Sequence, residues 1–185
     1  MQQARRSSLK PMWYSSAFLS LILIALDLGA ATQKINPGNP DLWLYQGIWL
    51  VTRSNASTAG KPERLVNECG SIGRYFACQQ TVNDKVGGLL IFIPAESPGH
   101  YFTQTVMPDG RATGRDDLVI SGDRWTFTSR RLDNGRASYF RTVNTFAGKT
   151  RIHFEQAESG NGNDWTVKMV GDEQRIGDAP TSARH

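Results

Sequence analysis

Between Trp43 and Val170 the chain is a succession of short runs rich in Val, Ile, Thr, Tyr, Phe and Trp, broken by Gly, Asn and Asp. Runs of that composition favour strands and breaks of that composition favour turns. The breaks constrain the fold most. Asn83-Asp84-Lys85, Ser121-Gly122-Asp123, Asp133-Asn134-Gly135, Ala147-Gly148 and Gly160-Asn161-Gly162-Asn163 each join neighbouring runs through a few residues only. Parallel strands need a crossover of about a dozen residues or more, so neighbours here run antiparallel.

The runs predict strands near 46–53, 73–82, 87–94, 100–107, 117–121, 124–130, 136–145, 149–157 and 164–170. Short strands in such numbers make a sandwich or a closed barrel. A meander closes more simply than a Greek key, and closure removes exposed edges. The expected fold is all-β, an antiparallel meander of about 8–10 strands closed into a barrel, with a β-sandwich as the alternative. Residues 60–70 (GKPERLVNECG) are the one segment with helix-forming residues between breakers, and Pro62 fits a first helical turn. A turn or two of helix is expected there.

The beginning of the 185-residue chain reads differently. Arg5, Arg6 and Lys10 precede an apolar run from Ala17 to Leu28, and Gly29-Ala30-Ala31 then supplies small residues. Basic, apolar and small in that order describe a secretory signal peptide over 1–31, with cleavage before Thr32. The run is shorter than the roughly 20 residues of a spanning helix and Asp27 interrupts it, so no membrane span is expected after cleavage. Residues 32–42, with two prolines before Asp41, read as a flexible lead-in; 43–176 hold the barrel, and 177–185 read as a disordered tail. The expectation is an exported protein, periplasmic or secreted, and a monomer.

Cleavage would lower Lys+Arg from 21 to 18 and Asp+Glu from 17 to 16, so the formal charge falls from +4 to +2. Arg130-Arg131 is the only adjacent basic pair after the leader. Nucleic-acid binding calls for a concentrated basic footprint, so no nucleic-acid partner is expected. Cys69 and Cys78 remain, and an even count in an oxidising compartment points to a disulfide. With Gly73-Arg74 as a two-residue type II′ turn, the two cysteines fall opposite each other at a non-hydrogen-bonded position, where side chains approach closely. A loop position for Cys69 would also allow the bridge.

At Gly47-Ile48-Trp49 the chain resembles the opening G-x-W motif of lipocalins and the wider calycin families, up-and-down barrels that hold apolar ligands. The strand rhythm is also similar to that of small exported bacterial β-proteins. The lipocalin resemblance implies that Trp49 closes one end of the barrel and that a basic residue after the last strand, here Arg175, packs over it. Both residues would then be structural.

Period-two alternation assigns side chains to faces. Phe76, Phe92, Phe102, Phe127, Phe140 and Phe154 are the candidate lumen residues for a small apolar or amphipathic ligand, with plain core packing as their other role. His153, between Arg151 and Glu155 on one face, is a candidate general base or axial haem ligand; the competing reading is a histidine on the wet face of its strand. Haem is the one cofactor considered and none is expected. Three scattered histidines give no zinc spacing, and Asp116-Asp117 and Asp172-Glu173 read as solvated pairs in turns without calcium-loop spacing. The sequence contains no G-x-S-x-G, no P-loop and no G-x-G-x-x-G leading into a helix. No catalytic residue is assigned. Three functions follow: a ligand-binding barrel, an envelope-associated interaction domain with a filled barrel, or a hydrolase-like enzyme needing His153 or His100 inward beside an acid.

Overall fold

The computed structural model describes residues 40–55 and 58–180; the predicted signal peptide, most of the lead-in and the last residues of the tail lie outside them. A 3₁₀ helix, η1 (Pro40–Tyr45), leads into β1 (Gly47–Asn55), β2 (Thr58–Ala59), β3 (Glu63–Ile72), β4 (Tyr75–Val82), β5 (Lys85–Pro94) and β6 (His100–Val106). Then come β7 (Asp116–Ser121), β8 (Arg124–Asp133), β9 (Arg136–Ala147), β10 (Arg151–Ser159) and β11 (Thr166–Gly177). Neighbours in sequence are neighbours in space, and β1 also pairs with β11. The result is a closed antiparallel barrel of ten strands, lipocalin-like, with two-residue β2 added to the end of β1.

The turns explain the meander. Asn83 and Asp84 both take positive φ, as do Asn134 and Gly135, the requirement of type I′ hairpins. Gly73 and Gly122 take φ of 60° at the first turn position, as type II′ demands. The Gly73-Arg74 turn sets the register that places Cys69 opposite Cys78, with Cα atoms 4.0 Å apart and the sulfurs bonded.

The helix expected over 60–70 is a strand. Glu63–Ile72 pairs with β1 on one side and β4 on the other. Without it both neighbours would carry a free edge inside the wall, and the backbone hydrogen bonds so gained outweigh a weak local helical preference. Its residues alternate as a strand requires, with Glu63, Leu65, Asn67 and Cys69 on the inner face. β11 also runs past the predicted end at 170, so Arg175 lies within it rather than beyond it.

The two ends of the barrel differ. At the base, η1 turns Leu42 and Tyr45 inward, the i and i+3 positions that a 3₁₀ helix aligns. They complete a sealed core with Trp49, Val51, Phe76, Phe92, Leu118, Trp125 and Phe146. Residues 40–42, read as lead-in, therefore belong to the folded domain, and so does Ala179, which is buried beyond the last strand. Large side chains buried in this way each contribute about 1.5–3 kcal/mol. Phe154 lies so close to β11 that a Cβ at Gly171 would overlap its ring and the Thr52 carbonyl. Glycine is required there for close packing of ring on backbone. Gly171→Ala is expected to destabilise the fold by about 1–3 kcal/mol through overpacking, read as a lower urea midpoint; an unchanged midpoint would show that β1 and β11 can part without cost.

Candidate functional site: the barrel lumen

On β8, β9 and β10, followed away from the base, inward-facing residues pass from buried and largely apolar to exposed and mixed. On β8 the order is Trp125, Phe127, Ser129, Arg131, running from fully buried to exposed. On β9 it is Phe146, Asn144, Thr142, Phe140, Ser138, and on β10 Ile152, Phe154, Gln156, Glu158, with the same trend. The barrel has a packed base, and toward the other end, ringed by the 83–84, 107–115, 134–135 and 160–165 connections, its inner face is partly exposed.

The floor of the lumen is built on Tyr45. Its carbonyl accepts hydrogen bonds from Trp49 Nε1 at 3.0 Å and Asn67 Nδ2 at 3.1 Å, and its hydroxyl accepts one from Asn144 Nδ2. Its ring stands 5.1 Å from Trp125, 5.8 Å from Phe92, 6.0 Å from Phe146 and 6.5 Å from Phe127. Burial holds the Tyr45 hydroxyl far above its usual range, with the nearby Glu173 carboxylate adding to the effect. The phenol thus stays neutral at any working pH.

Glu173 enters the lumen from β11, in register with Val51 and Ile152. Its Oε2 is buried and without a hydrogen-bond partner, as is the indole N–H of Trp125. Arg53, two residues further along the inner face of β1 than Val51, is ion-paired with Glu63 of β3. Their side chains keep 41% and 34% of their exposure, so solvent reaches this pair from the mouth. Burial pushes the Glu173 carboxyl up to about 7, and Arg53 partly opposes the shift. Two carboxylates, Glu63 and Glu173, therefore share one guanidinium inside the barrel.

Nearer the mouth, Asp116 of β7 is raised by burial, while Arg131 and a hydrogen bond involving Ser129 hold it back. Arg131 also lies 4.7 Å over the Phe140 ring. A solvent-open cleft of about 300 Å3 at this rim is lined by Ser138, Phe140, Glu158, Asp164, Thr166 and Lys168, among others. That volume is at the lower bound for small-molecule pockets, about 300 Å3. The bulge at Gln156-Ala157 leaves Lys168 without a partner across the ladder and turns it to the cleft.

The sequence candidates separate into three sets. Phe76, Phe92 and Phe154 face inward but belong to the packed base. Phe127 and Phe140 face inward above it and are partly exposed. Phe102 and His153 lie on the outer face: Phe102 is stacked under Arg115 at 4.0 Å, and His153 Nδ1 is 2.9 Å from Asp172. Alternation decides this, since their neighbours Tyr101, Ile152 and Phe154 are the core residues. His153 therefore offers the lumen neither a general base nor an axial ligand. His100, 3.4 Å from Asp117, also faces outward. Trp49 is fully buried, and the Arg175 guanidinium lies 6.0 Å from its ring and pairs with Asp178 at 2.9 Å. Among the described residues no three or more His, Cys, Asp or Glu side chains are grouped to hold a metal, and no helix is long and apolar enough to cross a membrane.

The lumen residues that sequence reasoning passed over are Tyr45, Arg53, Glu63, Asn144 and Glu173. The two adjacent carboxylate pairs, read as solvated turns, lie in strands, and alternation splits each across the wall. Asp117 and Asp172 go outward to His100 and His153; Asp116 and Glu173 go inward. No protein-family model matches this chain, and no curated protein matches it.

A carboxyl whose folded pKa is raised from 4.5 to about 7 binds its proton more tightly in the fold. Its stabilising contribution is complete below pH 4.5 and is lost as pH rises through about 7. Glu173→Gln removes the charge and keeps the shape. It is expected to change stability little near pH 4.5 and to raise it by on the order of 2 kcal/mol at about pH 8. Urea denaturation at both pH values checks this, and equal effects at the two would refute it.

Proposed function

We propose that this protein is a binding module that holds a small amphipathic ligand in the upper lumen of its barrel. The observation that carries the reading is the gradient along the inner face, from a sealed base to partly exposed Phe127, Phe140, Leu90 and Met169 interleaved with Thr142, Gln156 and Glu158. A wall of that mixture matches apolar surface while offering a few polar groups for orientation, as small-ligand sites do. A barrel filled along its whole axis would seal those inward side chains. Enzyme chemistry through a histidine loses its geometry, because His100 and His153 both face outward beside exposed aspartates. The Cys69–Cys78 disulfide fits the oxidising compartment that the predicted leader would deliver the chain to.

Fluorescence of an apolar probe titrated with the purified protein tests the reading: saturable enhancement, reversed by a competing amphiphile, is expected. Thr142→Trp, placed on the inner face between Phe127 and Gln156, is expected to fill the lumen and weaken probe affinity at least tenfold without unfolding the base. A folded protein that binds no probe, or a T142W variant that binds as well as the parent, would sink the lumen as the site.

A further inference from the structure

The floor of the lumen is short of one positive charge. Arg53 is the cation there, and it is divided between Glu63, with which it is ion-paired, and Glu173. Glu173 has a buried Oε2 with no hydrogen-bond partner. The groups packed about it offer little in exchange. Tyr45 of η1 is neutral and its oxygen is an acceptor toward Asn144 of β9; Ile152 and Phe154 of β10 and Val51 of β1 are apolar. Arg175 on the same face of β11 is turned to Trp49 and Asp178. An unpartnered buried acceptor costs about 1–3 kcal/mol, more if charged, and a donor from a ligand would recover it. Aromatic rings favour a cation further, since Tyr45 lies close to Glu173 and the partly exposed Phe127 ring stands 6.5 Å from Tyr45.

We infer that Glu173 is the anchor for a cationic amine. An amphipathic ligand carrying a primary ammonium seats that group at the floor against Glu173 and directs its apolar part up the wall past Phe127 toward the mouth. This rests on the lumen being the binding site, as proposed above. An anionic head would meet two carboxylates and a guanidinium already paired, and a neutral head would leave the charge deficit in place. Because burial raises the Glu173 carboxyl to about 7, seating an ammonium displaces its proton. Amine affinity therefore climbs with pH through that range and levels off once the carboxylate is ionised.

Displacement of the bound apolar probe by octylamine, octanol and octanoate, each below its micellar concentration, tests the assignment. Octylamine is expected to compete at least tenfold better than octanol or octanoate at about pH 8, and to lose that advantage at about pH 5.5. Glu173→Gln is expected to bring octylamine to parity with octanol at both pH values, competition being read against the variant's own probe titration. Glu173→Asp, which keeps the charge, is expected to retain part of the preference, with near-ultraviolet circular dichroism confirming both folds. Equal competition by all three compounds, a preference for octanoate, or an amine preference unchanged in E173Q overturns the cation site and leaves the lumen as the binding site. Failure of the folded parent to bind the probe at all overturns both readings together.

Discussion

Tyr45 is the residue on which the two halves of this barrel depend. Its carbonyl caps Trp49 of β1 and Asn67 of β3, its ring touches aromatic side chains from β5, β8 and β9, and its hydroxyl meets Asn144. Below it the barrel is filled; above it the inward side chains see solvent. A barrel of this size has room for side chains or for one small ligand along its axis. Placing a 3₁₀ turn across one end assigns packing to the base and leaves the remainder to the proposed ligand. Apolar burial at the base, with Trp49 and Trp125 fully enclosed, then supports a mouth whose lining is too polar to stabilise itself.

The charges inside follow the same division. Ionised groups taken from water must be paired or must shift their protonation. Arg53 and Glu63 take the first course and keep partial exposure, while Glu173, deeper and without a partner at Oε2, takes the second. A carboxyl so placed lowers the stability of the empty barrel at neutral pH, and binding sites commonly carry groups whose cost is offset by their ligand. The outer face shows the contrast: His100–Asp117 and His153–Asp172 are solvated surface pairs and do not perturb the interior.

Much of the barrel was legible in local chemistry. Turn residues with positive φ fixed the hairpins, so eight of the strand predictions fall within two residues at each end of β1, β4, β5, β6, β7, β9 and β10 or within three of β8. The Gly73-Arg74 turn likewise fixed the cysteine register. The failures are those where partners outvote propensity. Glu63–Ile72 is a strand because β1 and β4 flank it, and β11 continues to Gly177 because β1 closes on it. Missing that continuation concealed Glu173, since Asp172-Glu173 outside a strand has no inner face.

By itself, then, the sequence determined an antiparallel meander with its hairpins and its disulfide, because turn geometry and strand alternation are properties of a few adjacent residues. Only the tertiary structure decided which alternating set faced inward. It sent Phe127 and Glu173 to the lumen but Phe102 and His153 to solvent, and drew η1 across the base. The physical reason is closure. A strand can present either face to a core, and the choice is made jointly by all ten strands when β11 meets β1 and the largest apolar set is buried around Tyr45.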